Sequence, residues 1–269
     1  MTSSSDANGR QANNRYDHGH NPLAHAHTRG DIDETRLPAF GGEFQPGLWK
    51  SAEHRKFANP APLGLSAFAL TTFVLSLINM NAREVNVPNV VLSLAYAYGG
   101  VVQLLAGMWE MAVGNTFGAT ALSSYGGFWV AYAILLTPSA AALSAYEDPA
   151  DEASVLGFFL AGWFIFTFIL LMCTLRSTVM FFLLFFTLDL AFLMLSCGEF
   201  AKSNGAASSA KRLTQAGGGF GILAAFLAWY NAFAGIADSS NSFFLIPVFH
   251  FPWSEKGREA RGKTNRETV

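Results

Sequence analysis

Neutral hydroxyl side chains are the groups best suited to do chemistry in the apolar part of this chain. Phe68, Thr71 and Thr72 stand at i, i+3 and i+4, and a helix brings such positions onto one face. Hydroxyl donors can solvate a small carboxylate without a fixed cation, and such weak binding lets the ion leave again. The alternative is that these hydroxyls join helices, because Ser and Thr commonly bond across spans. The stripe favours a substrate pathway along Thr71 and Thr72.

Asp189 is an acid deep within the apolar run from Phe181 to Leu195. Burial of a charged carboxylate at the centre of a membrane helix costs at least about 2.5 kcal/mol, so acids in spans usually serve a function. Two roles fit this residue, and both stay open. Asp189 either carries a proton within the membrane or holds neighbouring helices together, protonated or paired with hydroxyl groups.

The stretch from Asn59 to Phe68 defines the start of the first apolar segment. Pro60 and Pro62 fix φ and remove two backbone donors, which predicts an extended approach and a helix start near Pro62. The first N–H groups and the positive dipole end of that helix suit an anion. Asn59 can donate and accept hydrogen bonds beside them. This indicates an anion-binding position, and the alternative is a helix start that binds no ligand.

Membrane-length helices must position these side chains. Hydrophobic residues make up 51% of the 269-residue chain and charged residues 13%, and the mean hydropathy is +0.29. A span needs about 20 mostly apolar residues. Six stretches meet this condition: 62–80, 88–109, 117–137, 155–175, 177–197 and 216–237. The sequence therefore predicts an all-α integral membrane protein whose six transmembrane helices form a bundle.

Cations near the span ends predict the orientation of the bundle. An even number of spans leaves both termini on one side of the membrane. The terminal side carries Arg176 and the flanking residues Lys50, Arg55, Lys56, Lys256, Arg258, Arg261, Lys263 and Arg266. The opposite side carries Arg83, an acidic loop at 147–152, and a predicted loop with Lys202, Lys211 and Arg212. The balance predicts cytoplasmic termini.

Three regions follow from these patterns. Residues 1–56 are polar, lack apolar periodicity, and are predicted to form a disordered cytoplasmic tail without a signal peptide. Four histidines in this tail are predicted to be solvated residues rather than metal ligands: His18, His20, His25 and His27. Residues 57–240 hold the spans, and residues 241–269 are predicted to be a cytoplasmic C-terminal segment and tail. No cofactor or metal is expected, and a net charge of -2 gives no reason to expect nucleic acid.

The sequence motifs resemble those of one transporter family. Residues 59–65 read NPAPLGL, and Phe68 follows them. The motif resembles the acetate uptake transporter family, also called the succinate–acetate permease family. The match continues in register at 98–100 (YGG), Gln103, 106–110 (AGMWE), 114–118 (GNTFG), 124–126 (SYG) and 128–129 (FW). It covers roughly residues 59 to 237, and the long N-terminal tail is similar to that of fungal members.

The resemblance implies a hydrophobic constriction midway along a pore in each subunit of a homohexamer. The family's constriction positions correspond to Phe68, Tyr125 and Leu188 in this sequence. Such a ring gates by excluding water and limiting the size of what passes. Glu110 belongs to a family pattern near the pore exit. Like Asp189 it is either a proton-carrying or a structural acid, and the structural role, capping or pairing with a helix, is favoured.

Together these features predict a plasma-membrane transport protein rather than an enzyme. Acetate and similar short monocarboxylates are the expected substrates, with succinate as a further one, and the surroundings are membrane lipid. Passage is either channel-like or proton-coupled. Two alternatives stay open: an ammonium or ammonia exporter, and an acetate-sensing membrane receptor. All six histidines lie outside the predicted spans, which counts against a histidine-lined ammonia pore.

Overall fold

The computed structural model describes residues 57–267, so the predicted tail at 1–56, with its four histidines, lies outside the described residues. Six long helices follow one another: α1 Ala61–Asn79, α2 Asn89–Ala112, α3 Thr116–Leu136, α4 Pro149–Cys173, α5 Val179–Ser203 and α6 Ala207–Ile236. A polar helix, α7 Glu255–Glu267, ends the described part. All six long helices are apolar enough to cross a membrane, which confirms the predicted fold class.

Local signals in the sequence set the helix starts. Pro60 precedes α1, and the Oδ1 atom of Asn59 accepts a hydrogen bond from the backbone N–H of Ala61 at 3.1 Å. Asn115 caps α3, and Thr178 caps α5, each through a side-chain oxygen that accepts from a backbone N–H in the first turn. Such caps satisfy donors that have no partner within the helix.

Three predicted boundaries near the end of the bundle opposite the chain termini are wrong. Helix α4 begins at Pro149 rather than at 155, so Asp151 and Glu152 of the predicted acidic loop lie in its first turn. Helix α6 begins at Ala207 rather than at 216, so Lys211 and Arg212 lie in its first turns and not in a loop. Lys202 lies in the last turn of α5, which runs past 197 to Ser203. Backbone hydrogen bonds continue a helix into water, so the end of an apolar run marks the end of the lipid contact and not the end of the helix.

Helix α2 contains a break that the hydropathy pattern does not reveal. A six-residue π-helical turn, Ala97–Val102, separates Asn89–Tyr96 from Gln103–Ala112. The turn contains Gly99 and Gly100, and Gly99 packs against Thr71 of α1, where an added Cβ would lie 2.5 Å from the hydroxyl oxygen. Single π turns of this kind often accompany functional sites.

The helices pack in two different ways around the interior. Helix α1 lies between α2 and α6, α5 lies between α6 and α4, and α2 packs on α3. Small residues bring α2 and α3 close together, as at Gly126 against Leu104. In contrast, α3 meets α4 and α5 through large rings, with the Phe128 and Trp163 centroids 5.1 Å apart. The space between α1, α3 and α5 therefore lies among aromatic side chains.

The GxxxG pair at Gly217 and Gly221 serves packing within the chain. An added Cβ at Gly217 would lie 2.7 Å from Leu195 of α5, and one at Gly221 would contact Ser76 of α1. Small residues at this spacing let helices approach closely. Here they bring α6 against two neighbours of the same bundle.

The segment after α6 does not cross the bundle, in agreement with its short length. Phe243, Phe244 and Leu245 are exposed, and the indole N–H of Trp253 donates to the Leu175 carbonyl at 2.7 Å. His250 forms an isolated antiparallel bridge with Thr178. The segment is thus fastened to the turn between α4 and α5. The C-terminal tail then forms α7, and Ser254, just before its first residue, accepts a hydrogen bond from the Gly257 N–H.

Candidate pore and gate

Phe68, Tyr125 and Leu188 come together from α1, α3 and α5. All three are buried, with exposed fractions of 3–5%. The Phe68 and Tyr125 rings lie 5.9 Å apart, and both residues line one cavity together with Leu188. We call these three residues the ring. Phe68 and Tyr125 are 57 positions apart in the sequence, and Tyr125 and Leu188 are 63 positions apart. Tertiary packing therefore brings the three side chains together.

The ring lies between two cavities. The larger cavity has a volume of about 90 Å³ and extends towards Asn79 and Glu199. The smaller has a volume of about 20 Å³ and extends towards Leu65 and Phe117, the end of the bundle where α1 begins. Phe68 and Leu188 line both cavities. A narrow apolar barrier between two spaces is the geometry of a hydrophobic constriction.

Tyr125 is held in place by its surroundings. Its hydroxyl group shares a hydrogen bond of 2.9 Å with the Thr167 hydroxyl of α4. Its ring stacks on Phe192 at 6.5 Å and meets Trp163 at 6.0 Å. Because the phenol is satisfied by Thr167, Tyr125 presents a ring rather than a free donor to the constriction.

The two threonines of the predicted stripe face different ways. Thr72 lines the larger cavity, and its Oγ1 atom has no hydrogen-bond partner within residues 57–267. Thr71 lies outside both cavities; its hydroxyl donates to the Ala67 carbonyl at 2.9 Å. With about 100° of rotation per residue, i+4 and i+3 fall on opposite sides of position i. Phe68 therefore shares its cavity face with Thr72 and not with Thr71.

Asp189 lies beside the ring and not in it. Its exposed fraction is 6%, and it lines neither cavity. Its carboxyl group is within electrostatic range of the Tyr125 phenol, and its Oδ1 atom has no hydrogen-bond partner in the described part of the chain. Asp189 therefore does not lie on the path that the two cavities outline.

Glu110 lies where α2 meets the start of α3. It is fully buried, and an added Cβ on Gly118 would lie 2.9 Å from its Oε2 atom. Gly118 belongs to the first turn of α3, which Asn115 caps. A carboxylate at the dipole-positive end of a helix is stabilising. The position favours the structural role that the sequence suggested for Glu110.

Asn59 lies at the start of α1, outside both cavities. Its Oδ1 atom accepts from the Ala61 N–H, so part of its hydrogen-bonding capacity serves the helix start. An added Cβ on Gly235 would lie 3.5 Å from its Nδ2 atom, so Asn59 also lies against the end of α6.

Several polar residues that line the cavities were not predicted as site residues, and Glu199 and Gln103 are two of them. Glu199 lines the larger cavity and lies 3.7 Å from the Lys202 ammonium group in the same helix. It was missed because the predicted fifth span ended at 197. The acid–base pair at i, i+3 is a helix-continuation signal that could have revealed it.

Gln103 is the second missed residue, and it lines the smaller cavity. It is fully buried, and neither its Nε2 nor its Oε1 atom has a hydrogen-bond partner among the residues that the structure describes. A buried polar group left without a partner costs about 1–3 kcal/mol. Gln103 was identified only as part of a motif, because the sequence pattern of a span does not show which way an amide side chain faces.

Comparison with known proteins shows which family the chain belongs to. The sequence profile of the GPR1/FUN34/yaaH family matches residues 40–253. The chain belongs to this family. A relative in the family, acetate permease A of Emericella nidulans, is 66% identical over 258 residues, which cover 93% of this chain and 84% of that protein. The six-helix chain is therefore a multi-pass membrane protein of a family that contains transport proteins.

Two further relatives bear on what the family does. Ammonia transport outward protein 2 of Saccharomyces cerevisiae is 51% identical over 219 residues, which cover 81% of this chain and 75% of that protein. The solved structure of the bacterial acetate channel SatP superposes with a TM-score of 0.57 at 33% identity, covering 66% of this chain and 91% of that one. The fold of the six helices is thus shared with a channel.

Proposed function

We propose that the protein transports acetate and similar short monocarboxylates across a membrane, with the ring as the gate. The observation that carries the proposal is the barrier of Phe68, Tyr125 and Leu188 between two cavities. The names of a 66% identical permease and of a structurally similar acetate channel support the substrate class.

The ring suits a small, largely apolar acid. An apolar constriction excludes water and charged groups that keep their hydration shells, and it limits passage by size. A short acid carries a methyl or ethyl group that can contact Phe68 and Leu188. Longer or more polar acids, including succinate, face a larger barrier. Channel-like and proton-coupled passage both remain compatible with this path.

The proposal includes a location and an assembly. The protein resides in the plasma membrane, surrounded by lipid, with both termini in the cytoplasm and one pore in each subunit of a homohexamer. The placement of Arg176, Lys256 and Arg258 at the terminal end of the bundle supports the orientation. Large apolar side chains exposed on α2 and α4 supply surface for lipid and for neighbouring subunits, among them Leu105, Trp109, Phe158 and Ile165.

A flux measurement tests the transport proposal. Full-length protein reconstituted in liposomes is expected to take up labelled acetate faster than protein-free liposomes do. A receptor that senses acetate predicts binding without flux. Equal uptake in liposomes with and without protein would reject transport and leave the receptor alternative.

Ammonium export is the second candidate function, because a 51% identical relative is named for ammonia transport. The only histidine within residues 57–267 is His250, which lies after α6 and outside all six spans. A histidine-lined ammonia pore is thus not supported in this part of the chain. Ammonium-driven pH change inside the same liposomes separates the candidates: the acetate proposal expects none above background.

Asp189→Asn tests the two roles left open for this acid. A proton carrier predicts that acid-stimulated acetate uptake falls, whereas a structural acid predicts an unchanged pH profile. Because Asp189 lines neither cavity, we expect the shape of the pH profile to be kept. The comparison variant is Glu199→Gln, since Glu199 lines the larger cavity and is expected to change that profile. A flattened profile in Asp189→Asn alone would support proton transfer instead.

Asn59 variants test the anion-binding position at the start of α1. Asn59→Ala removes the acceptor for the Ala61 N–H, and loss of one such hydrogen bond costs about 0.5–1.5 kcal/mol. We expect acetate flux to fall by more than the stability change explains. Asn59→Asp keeps the acceptor but adds negative charge, so it should restore thermal stability without restoring flux. Normal flux in an assembled Asn59→Ala protein would leave Asn59 as a helix starter only.

A further inference from the structure

The smaller cavity contains an uncommon arrangement of one amide among apolar groups. Gln103 projects into it directly after the π turn of α2, together with Phe68, Tyr125 and Leu188. Within residues 57–267 its amide is fully buried and both polar atoms lack a hydrogen-bond partner. The hydroxyl of Tyr125 is already bonded to Thr167. The cavity thus offers an unused NH2 donor group and an unused carbonyl acceptor, side by side.

The chemistry of this pair selects its partner. A group that satisfies both atoms at once must be planar and must carry an acceptor next to a donor. An uncharged carboxyl group meets this condition, because its carbonyl accepts from Nε2–H while its hydroxyl donates to Oε1. A carboxylate anion can satisfy only the donor. None of the residues that line the cavity is cationic, so an anion would be buried there without a counter-charge.

The surroundings favour the uncharged form further. The Glu110 carboxyl group lies behind Gly118, which lines the same cavity, and it supplies no positive charge to attract an anion. The volume of about 20 Å³ is enough for one group the size of a water molecule. A cavity of this size admits no more than the carboxyl end of an acid, so we place that end beside Gln103.

We propose that Gln103 forms a binding site for the uncharged carboxyl group of the transported acid, on the terminal side of the ring. The site binds the acid through two hydrogen bonds and without a charged side chain, so the acid can leave without breaking an ion pair. The proton stays on the acid while it is bound at this site. This inference rests on the proposed acetate transport and specifies the form in which the acid is recognised.

Acetamide is a probe for the site, because it carries a carbonyl acceptor beside an N–H donor and is never a carboxylate. We expect acetamide to raise the thermal stability of the purified full-length protein and to compete with acetate for uptake. In Gln103→Met, which keeps the side-chain length and removes the amide, both effects should disappear. The acetate concentration that gives half-maximal uptake should rise about tenfold, as expected for lost hydrogen bonds to the substrate.

The stability of Gln103→Met separates binding from a structural role. Removal of an unpaired buried amide should leave the melting temperature unchanged or raise it. The control is Asn231→Leu, which removes another buried amide that lies outside both cavities and donates to the Leu227 carbonyl. It should lower the melting temperature and leave half-saturation unchanged.

Three results would overturn the inference: unchanged half-saturation in Gln103→Met, a lowered melting temperature of that variant, or acetamide without effect on the wild type. The last result would mean that the site prefers an anion. The stability measurement needs no transport, so acetamide binding without acetate flux would reject the proposed function and keep the site.

Discussion

Leu188→Ala is expected to widen the ring and to admit acids that the wild type rejects. Leu188 lines both cavities, so its truncation joins the two spaces at their narrowest point. Lactate exceeds acetate by one carbon and one hydroxyl group, and a wider ring lowers the barrier to it. A barrier lowered by about 1.4 kcal/mol raises the rate about tenfold. We expect the ratio of lactate to acetate uptake to rise by at least this factor in liposomes.

A neighbour on the same helix controls for indirect effects. Leu190→Ala removes the same atoms from α5 at a partly exposed position that lines neither cavity, so it should keep the wild-type ratio. Phe68→Ala and Tyr125→Ala should change selectivity in the same direction as Leu188→Ala. If all three ring variants reconstitute equally well and keep the wild-type ratio, the ring is not the gate.

Gly126→Ala is expected to disrupt the contact between α2 and α3. An added Cβ would lie 2.7 Å from the backbone nitrogen of Leu104 and 2.8 Å from its Cα. Backbone atoms in a helix cannot turn aside as a side chain can, so the two helices must separate. Overpacking of this kind typically costs about 1–3 kcal/mol, and we expect a clearly lower melting temperature and less assembled protein.

The adjacent glycine provides a matched control. An added Cβ at Gly127 would meet no atom within 4 Å. Alanine is favoured over glycine in a helix by about 0.8–1.0 kcal/mol, so Gly127→Ala should keep or raise the melting temperature. Equal loss of stability in both variants would show that α3 is sensitive to any side chain there and not to the Leu104 contact.

The sequence predicted the six spans and the three residues of the ring, each from a different kind of signal. The six spans follow from hydropathy, because lipid demands apolar surface over a fixed length. Phe68, Tyr125 and Leu188 were indicated by motifs alone. In a chain with 25 phenylalanines, nothing in composition or spacing distinguishes Phe68 from a packing residue. In the structure these three side chains lie together between the two cavities.

Other parts of the site depend on directions that sequence patterns do not contain. Thr71 and Thr72 lie on the same half of α1, but adjacent positions in a helix are rotated by about 100°. Thr71 therefore faces α2, and Thr72 faces the larger cavity. Gln103 faces the smaller cavity after a π turn that hydropathy does not detect. Glu199 was missed because α5 continues beyond its apolar stretch.

The sequence by itself determined that the chain spans a membrane six times and where the first helix starts. Both properties are local: apolar length governs insertion, and Pro60 and Asn59 act on backbone groups next to them. Only the tertiary structure decided which side chains meet. Phe68, Tyr125 and Leu188 come from three helices, and their position depends on close contacts between glycines and neighbouring helices, as at Gly126. Such contacts depend on shape at the scale of single atoms, and hydropathy averages over that scale.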